Sequence, residues 1–279
     1  MPQGAKGNRA VAIASLAALL AVALPTAAWK QSVTQSGLPV AWESSCYQYS
    51  IHEKGSAAVP FDALETLVEK SYEAWTHPAC SYFRFVETAP AQVDRAEFNE
   101  EGGNANLLVW RDGQGAWPDG YSHAIVALTS VHYETTTGVI YDVDIEFNGD
   151  DFEFGALDDY PDDTRLVDLR STVTHEIGHT IGLDHSDDPD ATMFGYADPG
   201  SITKRDLAED DVEGLCTLYP TDDDPDVCEE PYCGLNLSGE DNGCKVDESD
   251  PQDCGCALPG RDARPALLPL LASLLPPSG

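Results

Sequence analysis

The sequence of 279 residues predicts an α+β fold in which helices pack on a twisted mixed β-sheet. Apolar residues recur at helical spacing in two segments, residues 61–75 and the stretch that begins near Asp168. Four β-rich runs lie between these segments, and glycine, asparagine and aspartate residues separate the runs. One hydrophobic core is enough for a folded region of this size.

The first helix is predicted to begin next to Pro60, because proline is favoured in the first turn of a helix. Five large side chains then recur every three or four residues: Leu64, Leu67, Val68, Tyr72 and Trp75. This spacing predicts an amphipathic helix whose apolar face packs in the core.

The predicted strands are short runs rich in β-branched and aromatic residues. They cover residues 82–86, 106–110, 124–129 and 139–147. We expect them to form one twisted mixed sheet.

The second helix, from about Asp168, is predicted both to pack in the core and to hold two metal ligands. Its buried stripe recurs every fourth residue: Leu169, Val173, Ile177 and Ile181. His175 and His179 also stand four apart, so their side chains lie on one face about 6 Å from each other, close enough to share a metal ion.

Three histidines and one carboxylate are predicted to act on a single zinc ion, with His175, His179 and His185 as ligands. Gly182 permits a positive φ, so the chain can turn after the helix and bring His185 back. Three nitrogen ligands leave one coordination position open for water, whose pKa zinc lowers to about 7. Glu176 would take the proton of that water as the general base.

The residues around this motif resemble those of a known family. Ser186 follows the third histidine, Met193 stands eight residues past it, and residues 207–219 resemble a C-terminal helix. With the histidine motif, they resemble the metzincins, and within them the matrixins, which include the matrix metalloproteases and many bacterial relatives. The resemblance covers about residues 40–220. It implies a metzincin-like catalytic domain, zinc endopeptidase activity and a Met193 side chain beneath the metal.

The resemblance also implies a protein or peptide substrate. In matrixins an edge strand of the sheet pairs with the substrate backbone, and residues 124–129 resemble that strand. An exposed strand edge offers the hydrogen bonds that an extended peptide needs. The residues expected at this edge are Ala124, Ile125, Val126 and Ala127.

An acidic strand is a candidate structural calcium site, because its carboxylates project from one face and oxygen ligands suit calcium. The candidate ligands are Asp142, Asp144, Glu146, Asp150 and Asp151. The alternative is a solvated face of the sheet. The vertebrate relatives hold a second zinc in this region, but here aspartates stand where a histidine is expected. We therefore favour packed or exposed roles for His123 and His132.

Residues 1–28 are predicted to be a secretory signal peptide. Lys6 and Arg9 precede an apolar run over residues 10–24, and residues 26–28 offer small side chains for signal peptidase. The apolar run is shorter than the ~20 residues that span a bilayer. We therefore expect a secreted, extracellular protein without a stable membrane span.

The net charge of −34 excludes nucleic acid as an ordinary partner, since 15 lysines and arginines cannot form the basic surface that phosphates require. The sequence does not indicate an oligomeric state, and a monomer is assumed.

Eight cysteines in an exported chain favour disulfides. Cys46 and Cys80 are the only two in the first half and form the simplest predicted pair. The others are expected to staple the C-terminal part, with a connectivity that spacing does not determine: Cys216, Cys228, Cys233, Cys244, Cys254 and Cys256.

The composition divides the chain after the signal peptide into three parts. Residues 29–220 form the predicted protease domain, and residues 221–256 form an acidic linker with a cysteine-rich segment. Residues 257–279 form an apolar tail broken by prolines, which resembles the surface-sorting tails of myxobacterial exported proteins but lacks their terminal arginines. This resemblance implies attachment to the cell surface through the tail.

A second hypothesis is a catalytically silent surface or matrix-interaction protein that binds calcium on the same fold. Glu176 argues against it, because a structural zinc needs no base and usually has a fourth protein ligand. A peptide-like amidase is a more distant alternative.

The residues before Cys46 lack the propeptide cysteine motif that keeps many vertebrate matrixins latent, so a latent enzyme would need another device.

Overall fold

The computed structural model describes residues 27–99, 104–159 and 163–228, together with the backbone of residues 270–274. The predicted signal peptide lies almost entirely outside the described residues. So do four of the eight cysteines: Cys233, Cys244, Cys254 and Cys256.

The described part of the chain forms three α-helices and ten short strands, and six of the strands follow one another between the first two helices, as is typical of an α+β fold. The helices are α1 (Phe61–Thr76), α2 (Leu169–Thr180) and α3 (Glu209–Leu218). The strands are β1 (Lys30–Gln31), β2 (Cys46–Ile51), β3 (Arg84–Glu87), β4 (Leu107–Trp110), β5 (Ala127–Tyr133), β6 (Ile140–Phe147), β7 (Phe154–Gly155), β8 (Val167–Asp168), β9 (Leu183–Asp184) and β10 (Leu270–Leu274).

The main sheet has six strands in the order β10-β5-β6-β4-β2-β3. β3, β2, β4 and β6 run parallel to one another, whereas β5 is antiparallel to both β6 and β10. The predicted mixed sheet is therefore confirmed. β2 was not among the predicted strands, although it lies in the interior of the sheet with Tyr47, Tyr49 and Ile51 in the core.

Both predicted helices form close to their expected bounds. The residues predicted for the apolar face of α1 are all buried. Asp168 caps α2 by accepting a hydrogen bond from the amide of Ser171, which satisfies a free donor of the first turn. α1 packs against α2, and the indole of Trp75 donates to the carbonyl oxygen of Thr174 at 2.8 Å. This contact lies at the level of the histidine motif.

The strand predicted over residues 124–129 is displaced toward the C-terminus. β5 begins at Ala127 and continues to Tyr133. Ile125 instead lies in a turn, where its amide donates to the carbonyl of Ser122 and its own carbonyl accepts from the side chain of Asn148. The tertiary contact to Asn148 therefore decides where the strand begins.

The predicted pair of Cys46 with Cys80 is wrong. Cys46 is bonded to Cys228, and Cys80 is bonded to Cys216. Cys80 follows α1 and lies beside the end of α3, where its carbonyl accepts from the amide of Thr221. The chain after α3 then returns to the start of β2, which brings Cys228 to Cys46. Both bonds thus attach the C-terminal part of the domain to its first half, and residues 221–228 pack on the domain.

None of the helices in the described part of the chain is long and apolar enough to cross a bilayer.

We predict that replacing both Cys80 and Cys216 with serine lowers the free energy of unfolding by about 3–5 kcal/mol. The physical reason is that the bond closes a loop with a sequence separation of 136, which restricts the unfolded chain. Chemical denaturation of the two proteins measures the difference. A peptide map of the unreduced protein that links Cys46 to Cys80 would contradict the observed pairing.

Candidate metal centre

α2 ends where a glycine allows the chain to reverse. Gly182 has a φ of +89°, and a Cβ atom at this position would lie 2.1 Å from the carbonyl oxygen of Val40. Both facts require glycine. The chain then forms β9, which pairs with β1, and His185 follows directly. The predicted role of Gly182 in returning His185 to α2 is consistent with this path.

The structure brings His175, His179 and His185 together, and we call them the three-histidine centre. Their ring centroids lie 4.9 Å (His175 to His179), 5.3 Å (His175 to His185) and 4.8 Å (His179 to His185) apart. One nitrogen from each ring lies within 4.8 Å of the others. His175 and His179 are buried, and His185 is half-buried.

Backbone carbonyls fix the orientation of two of the rings. Nδ1 of His175 lies 2.6 Å from the carbonyl oxygen of Thr192, and Nδ1 of His179 lies 2.8 Å from that of Leu183. Because a carbonyl oxygen only accepts, each Nδ1 carries the proton and each Nε2 presents a lone pair. Nε2 of each of these two rings can therefore bind a metal ion.

The Nε2 atoms need a cation to satisfy them. Nε2 of His179 is buried and has no hydrogen-bond partner among the described residues, and Nε2 of His175 lies 3.3 Å from Nε2 of His185. Burial, followed by the neighbouring histidines, lowers the pKa of His179 to about 3 and holds the pKa of His175 well below its usual range. Neutral imidazoles are what a metal requires, and three nitrogen donors suit zinc.

The carboxylate of Glu176 is buried beside the centre. Its Oε2 accepts a hydrogen bond of 2.6 Å from the hydroxyl of Thr129 in β5. Sequence reasoning did not identify Thr129, because 47 residues separate it from Glu176 and no local pattern connects them. Strand β5 thus contributes a side chain to the site as well as its edge.

Met193 lies in a tight turn, residues 191–194, that packs under α2. A Cβ atom on Gly178 would lie 2.2 Å from Sδ of Met193, so only glycine lets the turn approach this closely. Asp211 of α3 holds the turn by accepting from the amides of Thr192 and Met193 at 2.7 and 2.9 Å. Met193 is 1% exposed and forms part of the hydrophobic core.

The acidic strand does not present a solvated face, because Asp142, Asp144 and Glu146 are all buried. Asp142 and Asp144 come together with His132 of β5, and we call these three residues the buried acidic cluster. Nδ1 of His132 lies 3.1 Å from a carboxylate oxygen of Asp142. Burial raises the pKa of both aspartates, and the charge of Asp142 raises that of Asp144 further. A bound cation would offset this cost.

The other candidate calcium ligands have different partners. Glu146 forms an ion pair with Arg111 at 2.7 Å. Asp150 accepts from the amide of Gly115, and Asp151 contacts His123 at 2.7 Å. The five residues proposed from the sequence therefore do not form one site.

The outer edge of β5 is covered by another segment of the chain. β10 pairs with it in antiparallel orientation, and Ala272 lies opposite Thr129. Of the four residues expected at an exposed edge, only Ala127 belongs to β5, and it lies opposite Leu274. The expectation of an exposed edge over residues 124–127 is therefore wrong for this arrangement of the chain.

Comparison with known proteins places this centre in a family. The family described as Matrixin matches residues 41–220, which include all three histidines and Glu176. The chain belongs to the matrixin family. This result confirms the resemblance and the metzincin-like α+β fold class.

Three matrixin relatives illustrate the likeness. Metalloendoproteinase 5-MMP of Arabidopsis thaliana is 52% identical over 56 residues, which is 20% of this chain and 15% of that relative. Metalloendoproteinase 2-MMP of Arabidopsis thaliana is 45% identical over 65 residues, 23% of this chain and 17% of that relative. Matrilysin of Homo sapiens is 26% identical over 180 residues, 64% of this chain and 58% of that relative. The chain thus spans less than two thirds of the length of each.

Proposed function

We propose that this matrixin is a secreted zinc-dependent endopeptidase. The observation that carries the proposal is the convergence of three Nε2 atoms beside the buried carboxylate of Glu176. Zinc bound there supplies a Lewis acid and a water of lowered pKa. The named relatives, two metalloendoproteinases and matrilysin, support the same reaction class.

The three histidines are proposed to hold the ion. The carbonyls of Thr192 and Leu183 keep the rings of His175 and His179 in one tautomer and orientation, as partners of ligating histidines do in metal sites. His185 completes the set from the opposite side of the turn at Gly182. Within the described residues, this cluster contains no fourth protein ligand, which favours a catalytic over a structural site.

Glu176 is proposed to be the general base. It follows His175 directly on α2, so the same helix fixes both the ligand and the carboxylate. The hydrogen bond from Thr129 limits rotation of that carboxylate. Glu176 would accept a proton from the attacking water and deliver it to the leaving amine.

The substrate is proposed to be an extended protein segment. A cavity of about 380 Å³ is lined by residues that mostly follow the turn carrying Met193, and it can receive one substrate side chain. Its lining includes Phe194, Tyr196 and Lys204, and a Cβ atom on the adjacent Gly195 would lie 2.9 Å from Nδ1 of His185. The edge of β5 would bind the substrate backbone in place of β10.

The buried acidic cluster is proposed to be a structural cation site. Its donors are one imidazole nitrogen and carboxylate oxygens, a mixed set that zinc accepts as well as calcium. This proposed site contains two of the five carboxylates expected from the sequence, Asp142 and Asp144, together with His132.

We predict that Glu176→Ala keeps one zinc per chain and lowers kcat/KM by about 10²–10⁴-fold, the usual contribution of a general base. His179→Ala should instead lose the zinc. Metal analysis and hydrolysis of casein, each repeated with a chelator, measure these outcomes. A parent protein that is fully loaded with zinc but inactive would favour the interaction protein.

We predict that Thr129→Val lowers kcat by about tenfold, the effect of a hydrogen bond to a charged group worth about 1.5 kcal/mol. Valine has nearly the same shape but cannot donate to Glu176. The KM and the zinc content should stay at parental values. The matched control is Thr66→Val on the exposed face of α1. An unchanged kcat for Thr129→Val would show that the contact does not assist Glu176.

We predict that β10 competes with substrate for the edge of β5. One of two consecutive strand residues points its N–H toward the neighbouring strand, and proline has no N–H to donate. The double variant Ala272→Pro/Ser273→Pro should therefore lower KM at an unchanged kcat. Ala266→Pro/Leu267→Pro, which changes residues before β10, is the matched control. Equal KM values for the two variants would contradict the competition.

A further inference from the structure

We propose that Lys204 is a positioning residue for the three-histidine centre, because its ammonium group fixes the backbone carbonyl that orients the ring of His175. The inference rests on the proposed role of His175 as a zinc ligand. It adds a residue that lies outside the histidine motif and outside the turn that carries Met193.

Lys204 is almost fully buried, with 5% of its surface exposed. Its Nζ donates to the carbonyl oxygens of Thr192 at 2.8 Å, of Ala191 at 3.3 Å and of Phe194. An ammonium group has three N–H bonds, so these carbonyls occupy all of them. Lys204 therefore ties together nearly every residue of the turn under the metal centre.

The carbonyl of Thr192 connects Lys204 to the metal centre. The same oxygen lies 2.6 Å from Nδ1 of His175, and a carbonyl oxygen has two lone pairs for two donors. A shift of this oxygen would rotate the imidazole and move its Nε2. The ammonium group of Lys204 and the imidazole of His175 thus bind the same oxygen.

The turn is held from its other side by an opposite charge. Asp211 accepts from the amides of Thr192 and Met193, while Lys204 donates to carbonyls of the same turn. The turn thus lies between a buried carboxylate and a buried ammonium group. Two of its amides donate to the carboxylate and three of its carbonyls accept from the ammonium group, which leaves little freedom for His175.

Packing alone does not explain a lysine at this position. Burial lowers the pKa of Lys204 to about 8, against the opposing influence of Asp211 and Glu176. None of the ion pairs found in the described part of the chain includes Lys204. An unpaired buried charge is costly, so its retention is consistent with a task that a neutral side chain of equal length cannot perform.

The test compares Lys204→Met, which keeps the length but removes the donors, with Lys204→Arg, which keeps a cation. Zinc affinity is measured by competition with a chelator, and the ligand geometry by the visible absorption of the cobalt-substituted protein. We expect Lys204→Met to bind zinc about 10–100-fold more weakly, the usual effect of losing such a partner, and to show a shifted cobalt spectrum. Lys204→Arg should recover part of the affinity.

Lys70→Met, a change at an exposed lysine of α1, is the matched control and should keep both parental values. A folded Lys204→Met protein with parental zinc affinity and cobalt spectrum would overturn the proposal. If Lys204→Met does not fold, Lys204→Arg decides whether the proposal holds. The donors of the arginine are displaced from those of the lysine, so Lys204→Arg must shift the cobalt spectrum. The control Lys70→Arg must leave that spectrum unchanged. These readouts need no proteolysis, so an inactive parent that still binds zinc would refute the proposed function and leave this inference open to its own test.

Discussion

The site depends on one constraint, the fixed tautomer of two buried imidazoles. Backbone carbonyls accept hydrogen bonds from Nδ1–H of His175 and His179, which leaves the lone pair of each ring on Nε2. The fold brings these two atoms close to each other and to His185. Lone pairs that converge in a buried place are unfavourable without a cation. Helix α2, the glycine turn at Gly182 and strand β9 together produce this convergence, and the chemistry of the site follows from it.

Charged groups outside the motif hold these elements in place. Arg205 binds Asp168 through two contacts of 2.7 Å, so the residue that caps α2 also anchors the segment before α3. Lys204, the neighbour of Arg205, reaches the turn under the histidines, and Asp211 of α3 reaches the same turn. The chain between the third histidine and α3 is therefore tied both to the N-terminal cap of α2 and to the turn that packs under α2. A change in this segment can act on the metal centre without contacting it.

β5 contacts both β10 and Glu176 beside the three-histidine centre. Its Thr129 donates to Glu176, and its outer edge is paired with β10. Backbone hydrogen bonds that serve a substrate can equally serve a segment of the same chain, because strand pairing depends on the backbone more than on particular side chains.

The sequence by itself determined the elements whose signals are local. The apolar spacing of α1, the cap and stripe of α2, and the spacing of His175, Glu176, His179 and His185 all follow from helix periodicity and turn chemistry, which act over a few residues. Tertiary structure decided the rest: the cysteine pairing, the start of β5, the burial of Asp142 and Asp144, and the contacts of Thr129, Lys204 and Asp211. These contacts join residues that are distant in sequence, so no local pattern encodes them, and only the packing of sheet, helices and returning chain brings them together.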